Sequence, residues 1–462
     1  VNKASFSSLA LAPAFLNNLD SLGYQQMTPI QAAALPDALD GRDLIAQAKT
    51  GSGKTAAFGI GILHKLNPRF FGIQALVLCP TRELADQVAK ELRKLARHID
   101  NVKIVTLCGG TPMGPQIGSL EHGAHIVVGT PGRIQDHLFR ETLDLSRVST
   151  LVLDEADRMV DMGFVDDITR IVRACPKFRQ TLLFSATYPD SIRKIAAPFL
   201  REPLEVKVES QHSGSRIEQR FYACEHEERN QMVGELLRHY RPTSALAFCN
   251  TKIHCRELVE QLQEAGFAAL ALYGELEQRD RDETLVQFAN RSITVLVATD
   301  VAARGLDIQG IDLVINVDVS KDTEVHIHRI GRTGRAGDKG LAISIAAPQE
   351  KKWVRFIEEY QGGPVRWFER DTLTDTNPEP LLPPMRTLQI AGGKKDKLRP
   401  GDILGALTGD GGLTGSQVGK ISVFDQHSFV AIERSVADAA FKRLSRSKMK
   451  GREFKMRWIG LD

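Results

Sequence analysis

Through the first 350 residues, short continuous apolar runs alternate with longer helical stretches. "QALVLCP" (74–80), "HIVVGTP" (125–131), "TLVLDEA" (150–156) and "QTLLFSAT" (180–187) each end in polar or small residues. Strands buried on both faces read this way, which predicts a parallel sheet covered by helices. The pattern restarts with "SALAFCNT" (244–251), "ALALYG" (269–274), "TVLVATD" (294–300) and "LVINVD" (313–318). Between the two sets, "ESQHSGSRIEQ" (209–219) is polar and holds Gly and Ser, as a linker does. The expected organisation is one α/β lobe over 1–208, a linker over 209–217 and a second lobe over 218–370.

A second boundary is sharper. "DTLTDTNPEPLLPP" (371–384) carries four prolines among Thr and acids and predicts a linker over 371–385. Beyond it, "RTLQIAG", "VGKISVF", "SFVAIE" and "EFKMRWI" read as strands, and "PGDILGALTG" and "VADAAFKRLS" as helices. That βαββαβ order over 386–462 is the α+β pattern of RNA-recognition motifs.

Charge changes the picture at this boundary. The 462-residue chain is nearly balanced at +3, but residues 386–462 carry 15 Lys/Arg against 8 Asp/Glu, leaving 45 basic against 49 acidic residues before them. A basic tail on a mildly acidic body fits a polyanion partner, against the plainer reading of a solvated surface. The six cysteines show no zinc or C-x-x-C spacing, which fits a reducing, cytoplasmic setting. No apolar stretch approaches a membrane span. The opening "FSSLALAPAFLNNL" is broken by Pro13 and polar residues and is not read as a signal peptide.

The chemistry begins at "AQAKTGSGKTAAF" (46–58), between a predicted strand and a helix. Backbone N–H groups of Gly51, Ser52 and Gly53 can wrap a β-phosphate, with the helix N-terminus behind them. Lys54 offers a charge to the β/γ-phosphates, and the Thr55 hydroxyl a ligand for Mg²⁺. The generic pattern has Gly where Ala48 stands, so a plain Gly-rich turn is the competing reading. "LVLDEAD" (151–157) supplies the second carboxylate source that Mg-ATP needs. Asp154 fits as the Mg²⁺ partner and Glu155 as the group that deprotonates the attacking water. Acids in the first turn of a helix would look the same, but beside the Lys54 loop that alternative loses weight.

These segments resemble the DEAD-box RNA helicases, whose name-giving motif stands at 154–157. "GYQQMTPIQ" (23–31) resembles the Q motif, and "AKTGSGKT", with Ala48, that family's form of the phosphate loop. "PTREL" (80–84), "GG" (109–110), "TPGR" (130–133), "SAT" (185–187), "FCNT" (248–251), "QRDR" (278–281), "ATDVAARGLD" (298–307) and "HRIGRTGR" (328–335) follow in order. The resemblance implies two RecA-like parallel-sheet lobes that hydrolyse ATP with Mg²⁺ and locally separate RNA duplexes. It implies that Gln31 reads adenine, with Phe6 or Tyr24 holding the base, and that Asp307 contacts the ribose. Arg332 and Arg335 resemble arginine fingers for the γ-phosphate, while Ser185, Thr187 and His328 resemble residues that couple the sites. Thr81, Arg82, Gly110, Thr130 and Arg133, with Arg281 and Thr299, are the implied contacts to the RNA backbone. Such contacts position a strand without reading its bases.

The tail (390–415 and 418–433) resembles the C-terminal domain of the DbpA-type bacterial subgroup. That resemblance implies binding to hairpin 92 of 23S rRNA during large-subunit assembly, by a monomer. Its predicted strands offer few aromatics, only Phe429 in "SFVAIE", so base stacking on the sheet is not expected. Lys394, Lys395, Lys397, Arg399 and Lys420 are the better RNA candidates. A general RNA helicase, an ATP-gated RNA clamp and a DNA helicase are the alternatives.

Overall fold

The structure, a computed structural model, describes residues 4–48, 51–188, 190–208, 217–303, 310–334, 340–374, 377, 379, 381–409, 412–444 and 448–460. Two compact units divide the chain, Val1–Ser213 and Gly214–Asp462.

The first unit is built on seven strands: β1 Leu44–Gln47, β2 Ala75–Leu78, β3 Ile104–Leu107, β4 Ile126–Gly129, β5 Thr150–Asp154, β6 Gln180–Ser185 and β7 Leu204–Lys207. Their order is β3-β4-β2-β5-β6-β1-β7, and every pairing is parallel. β2, β4, β5 and β6 are buried along their whole length, as strands covered by helices on both faces must be. Two apolar clusters result, one on each face. One holds Phe15, Ile30, Phe58 and Phe184, and the other Leu76, Leu153, Met159 and Ile171. Because all strands run the same way, the phosphate loop, "PTREL", "GG", "TPGR", "DEAD" and "SAT" all leave one carboxyl edge.

The second unit repeats this plan with β8 Ile217–Ala223, β9 Ala245–Cys249, β10 Ala269–Leu272, β11 Val295–Thr299, β12 Leu313–Asn316, β13 Gly340–Ala346 and β14 Trp367–Phe368. The order is β10-β11-β9-β12-β13-β8-β14, again all parallel. β8 begins at Ile217, the last position expected to be linker. Only the adjacent Phe221 and Tyr222 are buried along it, so it lacks the continuous apolar run that marks its neighbours.

The remaining four strands, β15 Met385–Ile390, β16 Val418–Val423, β17 Ser428–Glu433 and β18 Met456–Ile459, form an antiparallel sheet ordered β16-β17-β15-β18. Helices Pro400–Thr408 and Arg434–Leu444 complete the expected βαββαβ order. Leu388 and Ile390 join the core beneath these helices. Thr387 alternates to the other face, fully buried, where its hydroxyl lies 2.6 Å from Ser292 Oγ and 3.1 Å from Asn290 Nδ2. This sheet face is thus turned onto the loop before β11. Phe429, paired in register with Gln389, is also fully buried, edge-on to Phe424 and His427. Its ring is not displayed for stacking.

The proline-rich segment is also more tied down than a free linker. Leu373 and Leu381 pack against the core of the second lobe, and Thr374 N–H donates to His239 Nδ1 at 3.1 Å. Among the described residues no helix is long and apolar enough to cross a membrane.

Candidate nucleotide and RNA site

The phosphate loop starts where buried β1 ends and closes on helix Lys54–Lys65. Gly53 caps that helix at φ +94 and Gly51 sits at φ +81, a left-handed backbone that favours glycine. A Cβ on Gly53 would lie 2.5 Å from Gln31 Nε2. Gln31 holds the loop in turn: its amide donates to Gly53 O (3.1 Å), and its Oε1 accepts Thr28 N–H (2.9 Å) in a capping box. Lys54, 6% exposed, donates to Ala48 O at 2.9 Å. Ser52 Oγ is buried without a hydrogen-bond partner among the described residues. An orphaned hydroxyl, two left-handed glycines and an inward lysine form a donor set suited to phosphate. Thr55 lies half-buried on the first turn of the helix. Phe6 is buried, edge-on to Tyr24 at 6.1 Å, and the Tyr24 hydroxyl donates to Glu91 at 2.6 Å.

β5 delivers the three acids, and the structure gives each a different environment. Burial pushes the Asp154 carboxyl up to about 7, with Lys54 opposing and Glu155 and Asp157 adding to the rise. Asp157 ties the strand end to "SAT": its Oδ2 accepts Ala186 N–H (3.2 Å), Thr187 N–H (3.0 Å) and the Thr187 hydroxyl (3.1 Å), while its own N–H donates to Ser185 Oγ (3.3 Å). Ser185 and Thr187 therefore meet Asp157 directly. Glu155 sits at φ +51, and its carboxylate lies 2.8 Å from Arg158 Nη1.

On the other half of the same edge, the loops after β2, β4 and β3 lie side by side. Thr81 caps helix Arg82–Leu95, accepting Leu84 N–H at 3.3 Å. Arg133 Nη1 donates to Thr111 O (3.0 Å), joining "TPGR" to the "GG" loop. Beneath them Gln116 donates to Cys108 O (2.9 Å) and accepts from His137 Nε2 (3.0 Å). Burial, then the Arg133 charge, holds His137 below the usual imidazole range, so it serves as a neutral donor. Neither Gln116 nor His137 belongs to a contiguous motif. Thr130 is buried at the end of β4.

Gly110, at φ +73, leaves room for the Arg82 guanidinium, which would overlap a Cβ there. Gly110→Ala is expected to displace Arg82 and weaken RNA binding about tenfold, roughly 1.4 kcal/mol, without changing basal ATP turnover. Titration with labelled single-stranded RNA measures the first and phosphate release without RNA the second.

In the second unit Arg281 donates to Ala302 O at 2.7 Å, and Thr299 ends β11. Arg329, 2% exposed, grips Asp300 through two contacts (2.6 and 2.7 Å) and reaches Asp318 O and Asn250. Arg332 is buried, and His328 half-buried on helix Thr323–Ile330. Asp307 and Arg335 lie outside the described residues. Donor atoms of Cys249, His254 and Asp318 lie within 4.8 Å of one another, but Arg229 already neutralises Asp318 at 2.6 Å. That cluster is a polar network. Lys394, Lys395, Lys397 and Arg399 are exposed on one loop of the small domain, and Lys420 on the edge strand β16.

Two parallel α/β units, one with a phosphate loop beside paired acids and a basic loop edge, define a nucleotide-driven enzyme of nucleic acids. Residues 28–195 match the DEAD/DEAH box helicase family, 228–337 the helicase conserved C-terminal domain, and 387–457 the DbpA RNA binding domain. The chain belongs to the DEAD-box RNA helicases and is an RNA-stimulated ATPase with two RecA-like lobes. It is 52% identical to the Escherichia coli ATP-dependent RNA helicase DbpA, an alignment covering 98% of this chain and 99% of that one. It is 46% identical to the Bacillus cereus DEAD-box ATP-dependent RNA helicase CshA over 77% of this chain and 67% of that one. Among solved structures, S. cerevisiae Dbp5 bound to RNA and ADP BeF3 matches with a TM-score of 0.73 and 31% identity, covering 79% of this chain and 96% of the other.

Proposed function

We propose that this RNA helicase remodels 23S ribosomal RNA near hairpin 92 during large-subunit assembly, acting in the cytoplasm as a monomer. The observation that carries this reading is the tail: a basic domain matching a dedicated RNA-binding family. A core whose candidate contacts are backbone donors has little means of reading sequence, so the address falls to residues 386–462. Phe429 is buried, which leaves Lys394, Lys395, Lys397, Arg399 and Lys420 as the proposed RNA contacts. Six free, buried thiols fit a reducing compartment.

In the chemistry proposed here, Lys54 and the Gly51–Gly53 amides bind the phosphates and Gln31 holds the loop. Thr55 and Asp154 would hold Mg²⁺, which offsets phosphate charge when bound. Glu155 accepts the proton of the attacking water, and Arg332 and Arg335 balance charge spreading on the transferred group. Ser185 and Thr187 fix the acids through Asp157.

The test compares steady-state ATP hydrolysis with a 23S hairpin-92 fragment against an equal mass of unrelated structured RNA. A whole chain and a version ending at Pro384 are compared; this end keeps Leu373 and Leu381, which pack on the second lobe. Selective stimulation of about tenfold or more, lost on truncation, is the expected result. Equal stimulation by both RNAs would instead mark a general RNA helicase whose tail only adds grip.

A further inference from the structure

Asp154 and Asp157 are each held by hydrogen bonds, but Glu155 is held differently. Its backbone is left-handed (φ +51, ψ 52), a conformation that costs a non-glycine residue energy and clusters at functional sites. Its carboxylate meets Arg158, one turn on, at 2.8 Å, and both side chains are about nine-tenths buried or more, at 6% and 5% exposure. The contact is one of charge. Neither Glu155 Oε2 nor Arg158 Nη1 has a hydrogen-bond partner among the described residues. A buried polar atom left in this state calls for a reason, and a catalytic role is one of the few on offer.

We propose that Arg158 is a positioning residue that aims the Glu155 carboxylate. The guanidinium fixes the carboxylate by attraction while leaving an Oε2 lone pair open for the proton of the attacking water. This rests on Glu155 as the acceptor of that proton. The surroundings favour such a clamp. Glu155 and Asp157 both act by like charge on Asp154, and without a local cation that repulsion would drive the Glu155 side chain to another rotamer. Lys54 is the cation facing Asp154, while Arg158 faces Glu155. Arg158 donates its own N–H to Asp157 Oδ1 at 3.0 Å, so the turn that carries the clamp is tied to the acid that anchors "SAT". Accurate aim matters because a small misplacement of a reacting group costs orders of magnitude in rate.

The experiment uses the full chain with saturating RNA and four variants: Arg158→Met, Arg158→Lys, Glu155→Gln and the double variant Arg158→Met/Glu155→Gln. In Arg158→Met, kcat for ATP hydrolysis is expected to fall about 10- to 100-fold, with KM for ATP and RNA affinity changed by less than about twofold. Arg158→Lys should recover most of the loss, because it restores the charge. In the Glu155→Gln background, single-turnover hydrolysis should change by less than about twofold when Arg158→Met is added, since a residue acting through Glu155 has nothing left to aim. Equal costs in both backgrounds would overturn the proposal, as would an unchanged kcat in Arg158→Met. Loss of kcat together with nucleotide binding and melting temperature, without rescue by Lys, would show a structural role and overturn it too. If Glu155→Gln itself turned over normally, the reading of Glu155 would fall, an outcome distinct from failure of the clamp alone.

Discussion

Glu155→Gln is expected to lower RNA-stimulated ATP turnover about 10²- to 10⁴-fold while leaving nucleotide and RNA affinity within about threefold of the parent. Gln keeps the shape of Glu but cannot take a proton from water. The structure explains why binding should survive. The phosphate loop is held by Gln31 and capped by Gly53, and the strand end by Asp157 and its three donors, so no anchor passes through the Glu155 carboxylate. Arg158 would lose its counter-charge, but the Gln amide oxygen still presents a partial negative charge to the guanidinium. The buried cation is then weakly satisfied rather than orphaned. Phosphate release under multiple turnover reads the first effect, and a fluorescent nucleotide with labelled RNA reads the second. Turnover within about tenfold of the parent would place the general base elsewhere.

The strands that were easy to find in the sequence are those buried on both faces. "ALVL", "IVVG", "TLVLD" and "QTLLFS" are continuous apolar runs because each sits inside the sheet with helices above and below. β8 escaped in part because only Phe221 and Tyr222 of its seven residues are buried, and its polar start continues the polar segment before it. The proline-rich segment reads as a tether because its composition forbids regular structure, yet two leucines spaced along it are enough to fasten it to the second lobe.

The candidate site divides the same way. Contiguous motifs can be read directly, because phosphate loops and strand-end acids do their work at fixed spacing. Residues that hold those motifs are recruited by the fold. Gln116 and His137 brace the "GG" and "TPGR" loops from 21 residues apart, and nothing local marks either. Arg158 carried the one signal available, a basic residue three positions after Glu155 on a helix, but such pairs are common on exposed turns. Only burial at both ends gives this one meaning. For Gly110 the sequence offers a glycine pair, and the structure shows what it makes room for, the Arg82 guanidinium.

Asp318→Ala is expected to destabilise the second lobe by about 3–5 kcal/mol, the cost of removing one partner from a buried ion pair. Asp318 Oδ1 accepts from Arg229 at 2.6 Å, across 89 residues of sequence. Its Oδ2 accepts from Asn250 N–H at 2.8 Å and pairs with His254 Nδ1 at 3.0 Å. Arg229, 1% exposed, would keep Glu350 as its only ion-pair partner among the described residues. The pair also sets a pH dependence. Burial pushes the Asp318 carboxyl up, but the hydrogen bonds from His254 and Asn250 and the charges of His254 and Arg229 outweigh it and bring it down to about 2. An aspartate in the unfolded chain titrates near 3.9, so protonation is harder in the folded lobe. The resulting stabilisation is complete above about pH 4 and is lost as pH falls from about 4 towards 2, to a total of about 2.5 kcal/mol. A chain with several folding units does not melt in one step, so the measurement is hydrogen exchange at β9 and β12, which pair in register at Phe248 and Asn316. Protection there should drop in Asp318→Ala at pH 7, and the gap to the parent should narrow as the pH is lowered below 4. Equal protection in both proteins at pH 7 would mean that Arg229 is satisfied by Glu350 alone, and that Asp318 serves the lobe in some way other than as its buried counter-charge.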